Sequence, residues 1–259
     1  MRNFSVRLAL ALLLALSLPA QAGDTPGIAA AADLKFALSE VAEAYTRASG
    51  RQLNLSFGSS GIFRRQIAEG APFQLFFSAD EAYVEALHKE GRTEGPGVLY
   101  ATGRIVLYLP NGSPVKADRE LRDLAAAATD GRLKRLALAN PDHAPYGRAA
   151  REALQHVGIW EAVREKLVLG ENAAQAARFA ASGSAQAAIL PYSLARAPEL
   201  AGKGGYITLP ESWHAPLRQR MVLVKGAGET ARQFYAFMQE REARAILAKH
   251  GFVVPQAAK

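Results

Sequence analysis

The run Leu55-Ser56-Phe57-Gly58-Ser59-Ser60-Gly61-Ile62-Phe63 passes from a short apolar stretch into two glycines bracketing two serines, and then into a helical pattern. A strand that ends at a helix N-terminus leaves backbone N–H groups that no helical carbonyl can reach, and the helix dipole adds about half a positive charge there. Gly58 and Gly61 would allow close approach to the backbone, and the hydroxyls of Ser59 and Ser60 add donors without adding charge. The chemistry that fits is the capture of an anion. The plain alternative is that Ser59 or Ser60 merely caps the helix, and the motif alone leaves both open.

Junctions of the same kind recur along the chain. Ala30-Ala31-Ala32-Asp33-Leu34 follows the first apolar run, and Asn140-Pro141-Asp142-His143-Ala144-Pro145-Tyr146-Gly147 and Leu169-Gly170-Glu171-Asn172-Ala173 follow later ones. In open α/β sheets ligands sit beyond the carboxyl ends of strands, so these four mouths are expected to converge on one small ligand. Catalysis finds little support. No Gly-x-Ser-x-Gly elbow is present, and no paired carboxylates stand at informative spacing. His88, His143, His156, His214 and His250 lack the i,i+4 pairing and the cysteine company of a zinc site, so no metal cation is expected. His143, three residues from Tyr146, is the one histidine placed to line the cleft.

The elements that would position these junctions alternate. Strand-like runs at 28–31, 53–57, 75–78, 105–109, 136–139, 166–169, 187–190, 206–209 and 221–224 are separated by helical patterns at 34–47, 62–69, 81–89, 148–156, 173–181 and 231–248. That alternation predicts an α/β architecture with largely parallel sheets. Stretches 101–104 and 215–220 are the expected crossings between two lobes.

Composition bounds the setting. Arg2 and Arg7 precede an apolar run at 8–18, and Ala20-Gln21-Ala22 offers a small-x-small cleavage site, which together read as a secretory signal peptide over residues 1–22. Its removal takes away two positive charges and no acid, lowering the formal charge from +7 to +5. The apolar run is short for a membrane span. The chain has no cysteine, which excludes disulfides, thiolate metal sites and a lipid-modified N-terminal cysteine, so a freely diffusing exported protein is expected. Basic residues fall in short clusters with acids between them, without the aromatic-laced basic stripe of a nucleic-acid surface, and no nucleic-acid partner is expected.

Taken together, the junctions resemble those of the periplasmic molybdate-binding proteins of ABC importers, within the type II solute-binding fold. The resemblance spans essentially the whole chain after residue 22. It rests on the Ala30-Ala31-Ala32-Asp33-Leu34 opening, Gly58-Ser59-Ser60-Gly61, the specific run Gly70-Ala71-Pro72-Phe73-Gln74-Leu75-Phe76-Phe77-Ser78-Ala79-Asp80, Asn140-Pro141 with Ala144-Pro145-Tyr146-Gly147, Gly170-Glu171-Asn172 with Gln175, and Gly251-Phe252. It implies two lobes, each a mainly parallel sheet flanked by helices, with the ligand cleft between them. The first lobe would comprise 23–102 and 216–259, and the second 103–215. It further implies a binding protein rather than an enzyme, a molybdate or tungstate ligand and no cofactor. A membrane permease partner, a monomeric state and a periplasmic location after cleavage behind Ala22 complete the expectation.

The resemblance also carries roles for particular residues. Ser60 matches a hydroxyl and amide donor to the oxyanion, with Ser59 beside it; Tyr146 and Ala173 match donors from the second lobe, and the amides at Ala32, Asp33 or Leu34 match a contact from the first helix. Tyr192, after Pro191, lies near the place where some relatives put a ligand tyrosine. At Asp33 the pattern departs, because many members carry serine, threonine or asparagine there. A carboxylate 4 Å from a dianion would be repelled by about 4 kcal/mol at an effective dielectric of 20. Three readings follow. Asp33 caps its helix by accepting from the N–H groups of Lys35 or Phe36; it accepts a hydrogen bond from a protonated oxyanion such as hydrogen phosphate or arsenate; or it meets the amino group of an organic solute. Sulfate binding, a periplasmic enzyme and the effector domain of a transcription regulator are the remaining alternatives.

Overall fold

The computed structural model describes residues 25–256, so the expected signal peptide and its cleavage site lie outside the described residues. The chain builds two five-stranded sheets. In order it forms β1 (Gly27–Ala31), a 3-10 turn (Ala32–Leu34), α1 (Lys35–Ser49), β2 (Asn54–Gly58), α2 (Ser60–Ala68), β3 (Phe73–Ser78), α3 (Glu81–Lys89), β4 (Val98–Gly103) and β5 (Ile105–Pro110). It continues through α4 (Arg122–Asp130), β6 (Leu136–Ala139), α5 (Pro145–His156), α6 (Trp160–Arg164), β7 (Leu167–Gly170), α7 (Ala173–Ala181), β8 (Ala187–Pro191), α8 (Tyr192–Ala195) and β9 (Gly204–Thr208). A 3-10 turn (Glu211–Trp213), β10 (Leu217–Leu223), α9 (Glu229–Phe237) and α10 (Arg241–Lys249) complete it.

The first sheet has the order β2-β1-β3-β10-β4 and the second β7-β6-β8-β5-β9. Both are mainly parallel with one strand reversed. β10 runs antiparallel to β3 and β4, and β5 runs antiparallel to β8 and β9. The reversed strand in each sheet is the one that enters from the other lobe. β5 starts two residues after β4 ends, and β10 follows the last segment of the second lobe.

Each sheet is sandwiched between helices, because its strands are apolar on both faces. In the first lobe Ile28, Leu75, Phe77, Met221 and Phe234 form one core with the helices α1, α9 and α10. Ala29, Phe76 and Val222, on the opposite face of the same strands, pack with Phe63 and Ile67 of α2 and Val84 and Leu87 of α3. The second-lobe core takes in Ala31, Ala32 and Ala79 from the strand ends of the first lobe, so the two lobes touch through apolar contact.

Several element boundaries differ from the sequence expectation for physical reasons. The helical pattern at 231–248 splits into α9 and α10, with the break at residues 238–240. Strand β4 occupies Val98–Gly103, where only a crossing was expected at 101–104; its partner is β10, distant in sequence. Helix α4 was not expected at all. Its N-cap, Leu121, has φ 57° and no capping side chain, and the first-turn amides of Arg122 and Asp123 are bonded instead by the two carboxylate oxygens of Asp118, both at 2.9 Å. A cap supplied from that distance leaves no standard start signal.

Candidate functional site

The carboxyl ends of the parallel strands from both lobes face one another across the seam, and helix N-termini follow them. One small cavity of about 10 Å³ lies there. The first lobe lines it with Ala31, Ala32 and Asp33 after β1, Gly58, Ser59 and Ser60 after β2, and Ala79 after β3. The second lobe contributes Ala144, Pro145 and Tyr146 at the start of α5, and Asn172 and Ala173 at the start of α7. Six of the seven residues expected to bind are therefore brought together. Tyr192 is not among the residues lining the cavity. Its ring is held against the guanidinium groups of Arg104 and Arg196, 4.5 and 5.3 Å from the ring centre, and edge-on to Tyr206.

Ser60, Tyr146 and Ala173 all sit in first helical turns, where the amide has no carbonyl four residues back. The local sequence explains each start. Pro145 occupies the first position of α5, where its missing N–H costs nothing and its fixed φ suits the helix. Asn172 caps α7 by accepting from the N–H of Gln175 at 3.1 Å, while the N–H of Glu171 donates to Oε1 of Gln175 at 2.6 Å. In α2 neither serine hydroxyl caps the helix. The Ser59 hydroxyl donates across the seam to the carbonyl of His143 at 2.5 Å. Ser60 Oγ accepts from the N–H of Ala79 at 3.0 Å, which leaves its hydroxyl hydrogen to donate, and the residue is 1% exposed.

His143 takes part in the seam rather than in the cavity wall. Its carbonyl also accepts from Gly61 N–H at 3.1 Å, and its Nδ1 lies 3.0 Å from Ser59 Oγ. A Cβ on Gly61 would stand 2.5 Å from that carbonyl oxygen, so glycine is required for the lobes to meet here. Further bonds cross between the lobes. Arg148 pairs with Asp80 at 2.7 Å, Lys35 with Glu199 at 2.7 Å, and Ser193 Oγ donates to the carbonyl of Asp33 at 2.9 Å. Asp80 also caps α3 by accepting from Ala82 N–H at 3.0 Å.

Asp33 does not act as the expected cap. Its Oδ2 accepts from Gln219 Nε2 at 2.7 Å, and its Oδ1 has no hydrogen-bond partner although the residue is 1% exposed. Burial pushes the carboxyl from 3.8 up to about 6, against the opposing pull of Gln219, the nearby Tyr146 hydroxyl and local backbone amides. Gln219 is held in turn. Its Oε1 accepts from the Tyr100 hydroxyl at 2.7 Å, and its Nε2 also donates to the Tyr146 hydroxyl at 2.9 Å. Burial and the charge of Asp33 push the hydroxyls of Tyr100 and Tyr146 well above the ordinary tyrosine range. A Cβ on Gly103 would lie 2.1 Å from the Tyr146 oxygen, so β4 also needs glycine at this network.

Gln219 and Tyr100 were missed by sequence reasoning. They lie inside strands β10 and β4, with no motif around them, and only the sheet pairing brings them under the cavity. Among the cavity-lining residues there is no lysine or arginine, and Asp33 is the one ionisable carboxyl. Among the described residues no group of three or more His, Cys, Asp or Glu side chains could hold a metal ion, and no helix is long and apolar enough to cross a membrane.

Two α/β lobes, linked by two crossings, with neutral donors converging at the seam, define a two-lobed solute-binding protein of the type II architecture. Residues 27–253 match the family model described as bacterial extracellular solute-binding protein, and the chain belongs to that family. It is 36% identical over 250 residues to the molybdate-binding protein ModA of Rhodobacter capsulatus, covering 95% of this chain and 94% of that one. It is 34% identical over 241 residues to ModA of Azotobacter vinelandii, covering 92% of each. The solved structure of the periplasmic molybdate-binding protein of Azotobacter vinelandii superposes with a TM-score of 0.80 at 29% identity, over 89% of this chain and 100% of that chain. Each of these relatives is named as a molybdate-binding protein.

Proposed function

We propose that this chain captures molybdate, and tungstate of nearly equal size, in the cavity between its lobes and delivers it to the membrane permease of an ABC importer. The observation that carries this reading is the meeting of Ser60, Tyr146 and Ala173 at one buried cavity that holds no cationic side chain. Three α-helix N-termini at about half a charge each place roughly +1.5 around a dianion without a mobile cation. The ligands are the hydroxyl and amide of Ser60 and the amides of Tyr146, Ala173 and the turn at Ala32–Leu34. Five to seven charge-assisted hydrogen bonds of about 1.5–3 kcal/mol each are enough for the roughly −12 kcal/mol of a nanomolar site. The names of the relatives supply the identity of the anion.

In this reading residues 23–102 with 216–259 form one lobe and 103–215 the other. The protein acts as a monomer in the periplasm after cleavage behind Ala22. Docking of both lobes on the permease releases the ligand when the seam opens. Titration calorimetry against molybdate, tungstate and sulfate tests the function. Molybdate and tungstate are expected to bind at one site per chain and to raise stability by about 2.7 kcal/mol at a hundredfold excess over Kd. Absence of heat and of thermal shift with molybdate would overturn it.

A further inference from the structure

We propose that this protein takes up one proton with each fully ionised oxyanion it binds, the proton being held on Oδ1 of Asp33 and directed at an oxygen of the ligand. The inference rests on the oxyanion-binding function above and adds to it the regulation of that site by pH.

The geometry separates the two carboxylate oxygens. Oδ2 is occupied by Gln219 Nε2, and the orientation of that amide is fixed because its Oε1 already accepts from Tyr100. Oδ1 is left without a partner in a residue that lines the cavity and is all but fully buried. A buried carboxylate oxygen with no hydrogen-bond partner, on a residue that lines the cavity, becomes favourable when it carries a hydrogen. The neutral acid then adds a donor to a site otherwise built from donors. The ionised form would instead set a third negative charge against the dianion.

No lysine or arginine lines the cavity to offset an ionised Asp33, and the pull of Gln219, the Tyr146 hydroxyl and local backbone amides is outweighed by burial. The groups facing Asp33 are the Tyr100 hydroxyl from β4, Gln219 from β10, Tyr146 from α5 and Ser193 from α8, which bonds its carbonyl; the nearby serines of α2 and Asn172 of α7 are neutral. Several nearby cations have partners of their own. Lys35 pairs with Glu199, Arg148 with Asp80, and Arg218 and Arg220 with Glu81, while Arg104 donates to the carbonyl of Gly251. Burial has already moved the carboxyl up to about 6 before any anion arrives, and a dianion beside it moves it further in the same direction. Above pH 6 the free protein is therefore ionised at Asp33 and the complex is protonated. The proton comes from solvent on binding and returns to solvent when the anion leaves. Affinity falls by up to tenfold for each pH unit above 6 and levels off below it.

The test is calorimetry of the chain purified from a periplasmic extract, titrated with molybdate and with sulfate from pH 6 to 8.5, in pairs of buffers that differ in ionisation heat. Both anions stay fully ionised over this range. The expected result is close to one proton taken up per anion at pH 8, and a Kd that weakens about tenfold per unit between pH 7 and 8.5. Asp33→Asn, which keeps the acceptor for Gln219 and puts a permanent N–H donor in the cavity, is expected to lose the slope and to bind at pH 8 at least as tightly as the parent. Asp33→Ser serves as a second variant if the amide disturbs folding. A Kd that stays flat in the parent with no buffer-dependent heat, or a slope that persists in both variants, overturns proton uptake while leaving oxyanion binding intact. Binding of sulfate but not molybdate, with the proton uptake and slope described, sustains this inference and removes the molybdate assignment. No binding of either anion at any pH overturns both.

Discussion

Ser60 Oγ accepts from Ala79 N–H, and its hydroxyl hydrogen is left to donate, in the proposed function to the anion. Ser60→Ala removes one charge-assisted bond of about 1.5–3 kcal/mol, so molybdate affinity should fall roughly 10- to 100-fold with little change in the unfolding temperature of the free protein, as calorimetry and a melting curve would show. Asp33 is the reverse case, a residue that costs stability when ionised. Its carboxyl rises from 3.8 to about 6 on folding, so the folded state binds more protons than the unfolded state in that window. Stability therefore declines as pH rises from about 4 to above 6, by roughly 2–3 kcal/mol in total at 1.36 kcal/mol per unit. Asp33→Asn should unfold at a higher temperature than the parent at pH 7.5 and lose that advantage near pH 4, by scanning calorimetry without ligand. At this scale, the meeting of Ser60, Tyr146 and Ala173 at one cavity was legible because each lies at a helix start that follows a strand. What Asp33 does was not, since an acidic residue opening a helix reads as a cap until Gln219, 186 positions away, is seen to bond it.

At the scale of elements, the site is a set of helix starts aimed at one point, and each start has its own local cause. Asn172 is the clearest, because its side chain accepts from Gln175 N–H and so holds the turn that presents the Ala173 amide. Asn172→Ala should cost about 1 kcal/mol of stability through the lost cap, and should also weaken anion binding several-fold; a melting curve and a titration of the same sample read the two effects. The strand-helix alternation was legible from apolar runs and helical spacing for most of the chain. The places that were not legible are those where distant partners decide. Strand β4 pairs with β10 across more than a hundred residues, and α4 takes its cap from Asp118 rather than from Leu121. The reversed direction of β5 and β10 also escaped the sequence, because periodicity does not tell which way a strand runs in its sheet.

Across the whole molecule, the lobes are held together by a few polar bonds around a small cavity. The Arg148–Asp80 pair spans the seam with side chains 35% and 14% exposed, which puts its contribution near the upper end of the 0–1 kcal/mol range for surface pairs. Arg148→Gln should therefore weaken molybdate binding by no more than about fivefold, and the difference from the parent should shrink when the titration is repeated at 1 M salt. The two-lobed plan was legible through resemblance to a known family, whereas the bonds that join the lobes were not, since Ser59, Gly61 and His143 meet only in three dimensions. One feature of the cavity bears on how such a protein changes over generations. In the proposed site most of the donors are main-chain amides, at Tyr146, Ala173 and the turn after β1, and these are the same atoms whatever side chain a codon specifies. Point mutation there has little leverage on what is bound, provided the turn survives. New ligand preferences must then arise through the few positions where the side chain itself faces the anion, Ser60 and Asp33 foremost, so the heritable variation in selectivity is concentrated in a handful of codons.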